Sequence, residues 1–407
     1  MSAEKEISID GYRYQLPEAS IARHPLPQRE ASRLLVYNKG LIEHCNFRNL
    51  LLHLPENSWL VFNNTKVIQA RLRFYKPTGA MIEVFCLEPV DPSDHQRAFE
   101  SMESCSWKCM IGNAKKWKSG LISLTTLVEG AAVRLEANLV GVGENSFVVR
   151  FQWEAPGCSF GEIIESAGST PIPPYLNRAA ERSDRLRYQT IYSRDLGSVA
   201  APTAGLHFTG SMMETLQDRG IAIQQLTLHV GAGTFVPIKK QNAREHEMHA
   251  ELVMVPLEFL ERWAAQLTLP IAVGTTSTRS LETIYWLGVK LIAGQQLNPE
   301  GTHFHQWENE SLPGHFTLKE SLEELLGYCQ KNNLMQLRFT TSLMIVPGYR
   351  FRSIAGLITN FHMPGSTLLL LIAALIGDDW KRVYQSALDH NYRFLSYGDS
   401  SLLIPGP

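Results

Sequence analysis

The stretch 187–209 holds a single histidine, His207, amid small residues, one proline and two glycines. Such a run packs no core of its own and lets backbone come close to something flat or charged. A loop of that length inside a compact chain is usually functional. Val230-Gly231-Ala232-Gly233-Thr234-Phe235 follows a strand pattern. It reads either as backbone N–H groups facing a ligand or as a tight turn. It is no dinucleotide fingerprint, since the third glycine is missing and no helix signal follows at once. Gly274-Thr275-Thr276-Ser277 stands between a strand and a helix pattern. That is the ligand position of an open α/β sheet, and the same run also serves as a helix N-cap.

His246 and His249 lie three apart beside Glu245. On a helix they would share a face with it. The zincin spacing needs one more residue between them, so polar surface or substrate contact is the preferred reading over a metal. Two stretches are basic. Trp107, Lys108, Lys115, Lys116, Trp117 and Lys118 form one; Arg178, Arg182, Arg185 and Arg187 form the other. Each reads as a solvated face or as an RNA contact that combines phosphate pairing with base stacking.

The elements that must position these residues fall into two textures. Residues 58–62 read as a short buried strand, and strand patterns over 82–88, 132–140 and 146–153, with no convincing helix between 66 and 152, predict a small all-β unit, sandwich or barrel. From about residue 160 strands alternate with helices. Thr209 caps a helix through Met213 and Leu216 to Gly220, and 221–230 is strand-like. Helices are expected over 256–266, 279–287, 366–376 and 379–390, and strands over 270–274, 354–360 and 393–397. Thr317 to Glu320 is a capping box for a helix ending near Cys329. The stretch 298–314 is the best candidate for a mobile loop. The expected fold is an α/β body with a mixed β-sheet, residues 1–68 and 155–407, and an inserted barrel-like domain, residues 69–154.

The chain of 407 residues is long enough for two or three domains and a large core. Hydrophobic content of 44% and charged content of 19% fit a soluble globular protein. A net charge of −2 excludes a uniformly basic field, so nucleic acid must meet local patches. Residues 1–14 carry no apolar signal region, and the longest apolar run, 368–376, is too short to span a bilayer. A cytoplasmic location is expected. The six scattered cysteines read as reduced thiols in or near the core.

Taken together, the segments resemble one family, the S-adenosylmethionine:tRNA ribosyltransferase-isomerases of queuosine biosynthesis. The likeness begins near 31–35 and includes Phe62-Asn63-Asn64-Thr65-Lys66 and the run to Leu72, and 83–88. It continues through 187–209, His229 to Phe235, Ala272 to Ser277, Pro347-Gly348-Tyr349 and Leu357 to Pro364, and ends at 392–399. The resemblance implies transfer of the ribosyl part of S-adenosylmethionine to 7-aminomethyl-7-deazaguanine at the tRNA wobble position. Epoxyqueuosine forms; adenine and methionine leave. It implies S-adenosylmethionine as cosubstrate, no prosthetic group, no metal, tRNA as partner, no membrane and no obligate protein partner.

That reaction needs a base for the 5′ proton, an acid for the departing adenine, polar groups for the methionine ends, and a carboxylate for the guanine-like edge. For proton transfer the candidates are His207 and His229, with His362 beside them. Asp399 is the candidate catalytic carboxylate that reads the deazaguanine edge, or else a turn former. Phe208 is read as stacking on adenine or as core. Thr203, Gly205, Gly231, Gly233, Thr275, Thr276, Ser277, Arg279, Asn360 and His362 complete the expected substrate contacts. Lys115, Lys116, Lys118, Arg178, Arg185 and Arg187 are the expected RNA contacts. The chain departs from the family's usual pattern. Asn64 and Lys66 stand where Asp and Arg are usual, Ala80 replaces a Gly, and Ser400-Ser401 replace an Ala-Met pair. The stretch 288–342 matches poorly and looks longer than usual. Those departures motivate one alternative, the same cosubstrate with another RNA or nucleoside acceptor; the basic stretches 107–118 and 178–187 motivate a second, a non-catalytic RNA-binding protein.

Overall fold

Three short segments, Trp59–Asn63, Ile271–Val273 and Gly356–Asn360, are buried at every residue. An apolar run without alternation is what a strand covered on both faces requires. In the structure, a computed structural model describing residues 6–76, 78–143, 146–231, 240–266 and 268–406, they form the centre of a ten-stranded sheet. Its order is Thr302–Phe304, Gln336–Thr341, Glu251–Pro256, Ala222–His229, Trp59–Asn63, Ile271–Val273, Gly356–Asn360, Ser400–Ile404, Arg33–Asn38, Leu41–Asn46. Ala222–His229, Trp59–Asn63, Ile271–Val273 and Gly356–Asn360 run parallel to one another. Antiparallel neighbours flank that group: Glu251–Pro256 on one side and Ser400–Ile404 on the other. The C-terminal ends of the four parallel strands therefore share one edge of the sheet.

The second unit is a six-stranded antiparallel sheet that nearly closes. Its order is Arg71–Tyr75, Met81–Asp91, Ser104–Gly112, Phe147–Trp153, Ala131–Val142, Ile122–Val128. Its outermost strands approach each other. Alternate residues point inward, so Leu72, Phe74, Trp107, Cys109, Val149 and Phe151 fill the interior. Ser159 and Glu162 form a capping box at the start of helix Phe160–Ala167. Its Phe160, Ile163 and Ile164 join the barrel core. Each such burial contributes about 1.5–3 kcal/mol, enough to hold the helix over the barrel end.

The fold class agrees with the sequence reading, and so do most elements. Thr209 caps helix Gly210–Asp218, and the Thr317–Glu320 capping box opens helix Leu318–Lys331 with both reciprocal bonds made. All six cysteines are free and five are buried. No described helix is long and apolar enough to cross a membrane.

Several expectations are corrected. The region read as helix-free contains His95–Glu100, capped by the Asp94 carboxylate. It is too short to leave a periodic signal. Residues 393–397 are not a strand. Leu395 adopts φ 70° there, and the last strand is Ser400–Ile404. The supposed mobile loop 298–314 carries strand Thr302–Phe304, with Phe304 fully buried, and a 3₁₀ turn at Glu308–Ser311. Within 187–209, Asp195–Ser198 is a strand paired with Thr65–Val67, and Thr203–His207 is a 3₁₀ turn. His246 and His249 follow a single 3₁₀ turn, Ala243–Glu245, and share no helix face.

Candidate active site

Two cavities open over the shared C-terminal edge. The larger, about 790 Å³, lies between helices His95–Glu100 and Phe160–Ala167 on the barrel side and Asn64, Lys66, Asp195, Thr227 and His229 on the body. The smaller, about 90 Å³, lies over the ends of Ile271–Val273 and Gly356–Asn360. His229 faces the larger cavity and Val230, the next residue, faces the smaller. The strand end Ala222–His229 thus stands between them. Ligands of open α/β sheets sit at this edge because helix N-termini and loop backbone converge there.

The smaller cavity is built where strand turns into helix. Gly274, at φ 93°, makes the turn in a conformation that L side chains rarely adopt. Helix Thr275–Ile292 starts immediately after it. Thr275 and Thr276 line the cavity, with Thr203, Asn360 and His362 opposite or beside them. The Thr276 Oγ1 is buried and has no hydrogen-bond partner among the described residues. A hydroxyl left so is costly unless a ligand meets it. The rest of the expected run turns away. Ser277 Oγ donates to the Val273 carbonyl at 2.8 Å. Arg279 is buried in an ion pair with Glu251 at 2.9 Å and lines neither cavity, while its Nε and Nη2 meet no partner among the described residues. Gly205 packs against Tyr192, where an added Cβ would meet the phenol oxygen at 1.9 Å.

His207 does not line this cavity but stands behind Asn360, on a separate small pocket with Arg29, Arg187 and Arg393. Its Nδ1 is 2.8 Å from Ser32 Oγ and its Nε2 is 3.2 Å from Asn360 Oδ1. Asn360 Nδ2 donates to the Leu395 carbonyl, which fixes its Oδ1 as the acceptor. His207 therefore carries its proton on Nε2 and accepts from Ser32 on Nδ1. Burial lowers its pKa to about 4, so the ring is neutral at pH 7. Both nitrogens are spent on protein partners, which makes it a positioning residue for Asn360. His362 is likewise lowered by burial, to about 4, and its Nε2 meets Thr359 Oγ1 at 3.0 Å. Phe208 lies in the core, edge-on to Phe47 and Phe62.

The larger cavity has a different chemistry. His229 Nδ1 meets Thr65 Oγ1 at 3.0 Å, and its Nε2 has no partner among the described residues. Gly197 leaves room for the ring, since a Cβ there would lie 2.6 Å from it. Burial lowers His229 to about 3, helped by neighbouring His95. His95, which carried no local signal in the sequence, packs its tilted ring against it with centroids 4.6 Å apart. Across the same floor, Thr227 Oγ1 lies 2.7 Å from both Asn64 Oδ1 and Asp195 Oδ2. Gly231 donates its N–H toward Glu251. Gly233 lies outside the described residues.

Asp399 does not reach either cavity. It is 2% exposed, and its two oxygens accept the backbone N–H groups of Arg33, at 2.9 Å, and Arg393, at 2.7 Å. Burial pushes its carboxyl above the usual range, with those bonds opposing. It clamps a turn. The basic stretches are also resolved. Lys115, Lys116 and Lys118 are exposed, but Trp107 and Trp117 are buried in the barrel and stack on nothing outside it. Arg178 grips Asp184 bidentately at 2.7 and 2.8 Å, Arg185 pairs with Glu165, and Arg187 donates to the carbonyls of Leu26 and Pro27. His249 pairs with Glu251 at 3.1 Å.

A family model described as "Queuosine biosynthesis protein" matches residues 9–403. A protein of Syntrophotalea carbinolica named S-adenosylmethionine:tRNA ribosyltransferase-isomerase is 37% identical over 407 residues, covering 97% of this chain and 99% of that protein. One of the same name from Halothermothrix orenii is 35% identical, covering 98% of this chain and 100% of its own. A crystal structure of an S-adenosylmethionine tRNA ribosyltransferase from Thermotoga maritima is 27% identical, covers 97% of this chain and 99% of that one, and superposes with a TM-score of 0.44.

Proposed function

The chain belongs to the queuosine biosynthesis protein family, and from that membership we propose that it is an S-adenosylmethionine:tRNA ribosyltransferase-isomerase acting on the deazaguanine precursor at the tRNA wobble position. Relatives of this name along the whole chain favour it over another acceptor or a non-catalytic RNA binder. One observation carries the reading into the structure. Segments far apart in sequence, at Asn64–Lys66, Thr203, His229, Thr275–Thr276 and Asn360–His362, meet at one edge of one sheet. Those are the segments on which the family resemblance rests.

The methionyl end of the cosubstrate goes to the smaller cavity. There the Thr276 hydroxyl and the N-terminus of helix Thr275–Ile292 favour a carboxylate. The adenosyl part extends past Val230 toward the larger cavity, where the modified base enters. With the ring neutral and its hydrogen on Nδ1, donated to a Thr65 Oγ1 that itself donates to the Asp195 carbonyl, His229 Nε2 takes the 5′ proton made acidic by the sulfonium. The C5′ electron pair forms a C4′=C5′ bond as the C4′–O4′ bond breaks, O4′ becomes the oxygen of a C1′ aldehyde, and the C1′–N9 bond breaks with its pair leaving on adenine. The imidazolium formed at so dry a site is a strong acid, suited to pass its proton to the departing adenine. The aminomethyl nitrogen attacks, and epoxide closure expels methionine.

The test is adenine release from S-adenosylmethionine, measured with an anticodon stem-loop bearing the aminomethyl-deazaguanine. Wild type should release adenine only with that RNA. A His229→Asn variant should be slower by about 10²–10⁴-fold. Equal release with unmodified RNA, or none with the precursor RNA, sinks the reading.

A further inference from the structure

A guanine-like edge presents N1–H and N2–H₂ donors beside an O6 acceptor, so a protein reads it with a carboxylate and a nearby donor. Asp399 is unavailable for this, with both oxygens taken by backbone. The larger cavity has five other carboxylates on its wall: Asp94, Glu100, Glu162, Glu165 and Asp195. Four are engaged. Asp94 caps a helix and pairs with Arg338, Glu162 closes its capping box, Glu165 pairs with Arg185, and Glu100 accepts from Gln96 one turn earlier.

Asp195 differs. Its side chain is exposed to the cavity, pairs with no cation among the described residues, and is met by one group, the Thr227 hydroxyl, through one oxygen. Thr227 has a single proton for two acceptors, Asn64 Oδ1 and Asp195 Oδ2. The consistent assignment gives that proton to Asp195 and turns the Asn64 amide to donate to Thr227. The carboxylate is thus oriented through one oxygen and open through the other. It sits on strand Asp195–Ser198, paired with Thr65–Val67, so that Leu196 is in register with Lys66. Lys66 opens on the same cavity and can supply the donor for O6. An amide at 64 also leaves one negative charge, not two, around the Thr227 hydroxyl.

We infer that Asp195 is the specificity residue that accepts the N1–H and N2–H₂ of the acceptor base, held in place by Thr227 and Asn64. This rests on the proposed reaction. One good bidentate pair is worth ~1–3 kcal/mol of discrimination, or about 5–150-fold.

The experiment measures adenine release with two stem-loops, one bearing the aminomethyl-deazaguanine and one bearing its analogue without the 2-amino group. Wild type should prefer the first by about 10-fold or more. Asp195→Asn replaces one acceptor by a donor. It should lower kcat/KM for the first RNA by about 10–100-fold and bring the two RNAs within about 3-fold of each other. Its equilibrium affinity for S-adenosylmethionine should stay within about 2-fold of wild type, because the residue touches the base alone. If Asp195→Asn keeps the wild-type preference, or loses rate equally on both RNAs, or loses cosubstrate affinity, Asp195 does not read the edge. If wild type itself releases no adenine with either RNA, the proposed reaction fails as well.

Discussion

His95 and His229 pack ring against ring with centroids 4.6 Å apart and planes tilted by 32°, one ring from a helix on the barrel side and the other from the end of a body strand. Burial lowers both, to about 4 and about 3, with Asp94 opposing and Arg338 assisting. An unfolded imidazole titrates near 6.5. Below that pH the unfolded chain takes up protons that the folded pair refuses. Stability from the pair is therefore complete above pH 6.5 and is lost as pH falls toward 4. His95→Gln should lose less thermal stability between pH 7 and pH 5 than wild type, by about 1–2 kcal/mol. Identical acid sensitivity in Tm would refute this.

His207 spends both ring nitrogens on Ser32 and Asn360. Removing the ring leaves a buried hydroxyl and a buried amide oxygen without their partner. His207→Ala should destabilise the fold by about 2–4 kcal/mol, read from urea denaturation. Its KM for S-adenosylmethionine should rise through the loosened Asn360. An unchanged denaturation midpoint with lost turnover would instead make His207 a proton-transfer residue.

Thr276 presents the opposite case. Its hydroxyl is buried without a partner, so Thr276→Val removes a polar group that the empty fold does not use. Stability should be unchanged or higher. Affinity for S-adenosylmethionine, measured by calorimetry, should fall about 3–10-fold for one lost hydrogen bond. Unaltered affinity would place the cosubstrate elsewhere.

Arg279 and Glu251 form a buried ion pair, which separates fold from site in the Gly274 loop. Arg279→Met removes the buried cation, leaves Glu251 to His249 and the Gly231 N–H, and should cost about 3–5 kcal/mol of stability. The double variant with Glu251→Gln should recover part of that loss. Loss of cosubstrate affinity without loss of stability would reverse the assignment.

Much of this was legible in the chain. Gly274-Thr275-Thr276-Ser277 announced a strand-to-helix turn because glycine and small hydroxyl residues serve that geometry, and three of its residues do line a cavity. The capping boxes and the buried apolar strands were equally plain, since their signals are local in sequence. His95–Glu100 was missed because so short a helix makes no periodic pattern, and His95 gains meaning only when the barrel brings it onto His229.

Residue type along the chain thus determined where strands, helices and turns form, and the recurring segments determined the family. Which side chains face a ligand was decided by tertiary structure alone. Ser277 and Asp399 look as reactive in sequence as Thr276 and Asp195, yet the first two are consumed by the Val273 carbonyl and by the backbone of Arg33 and Arg393. A polar group's partners come from strands distant in sequence, and only the group left without one, at the open edge of the sheet, is available to a substrate.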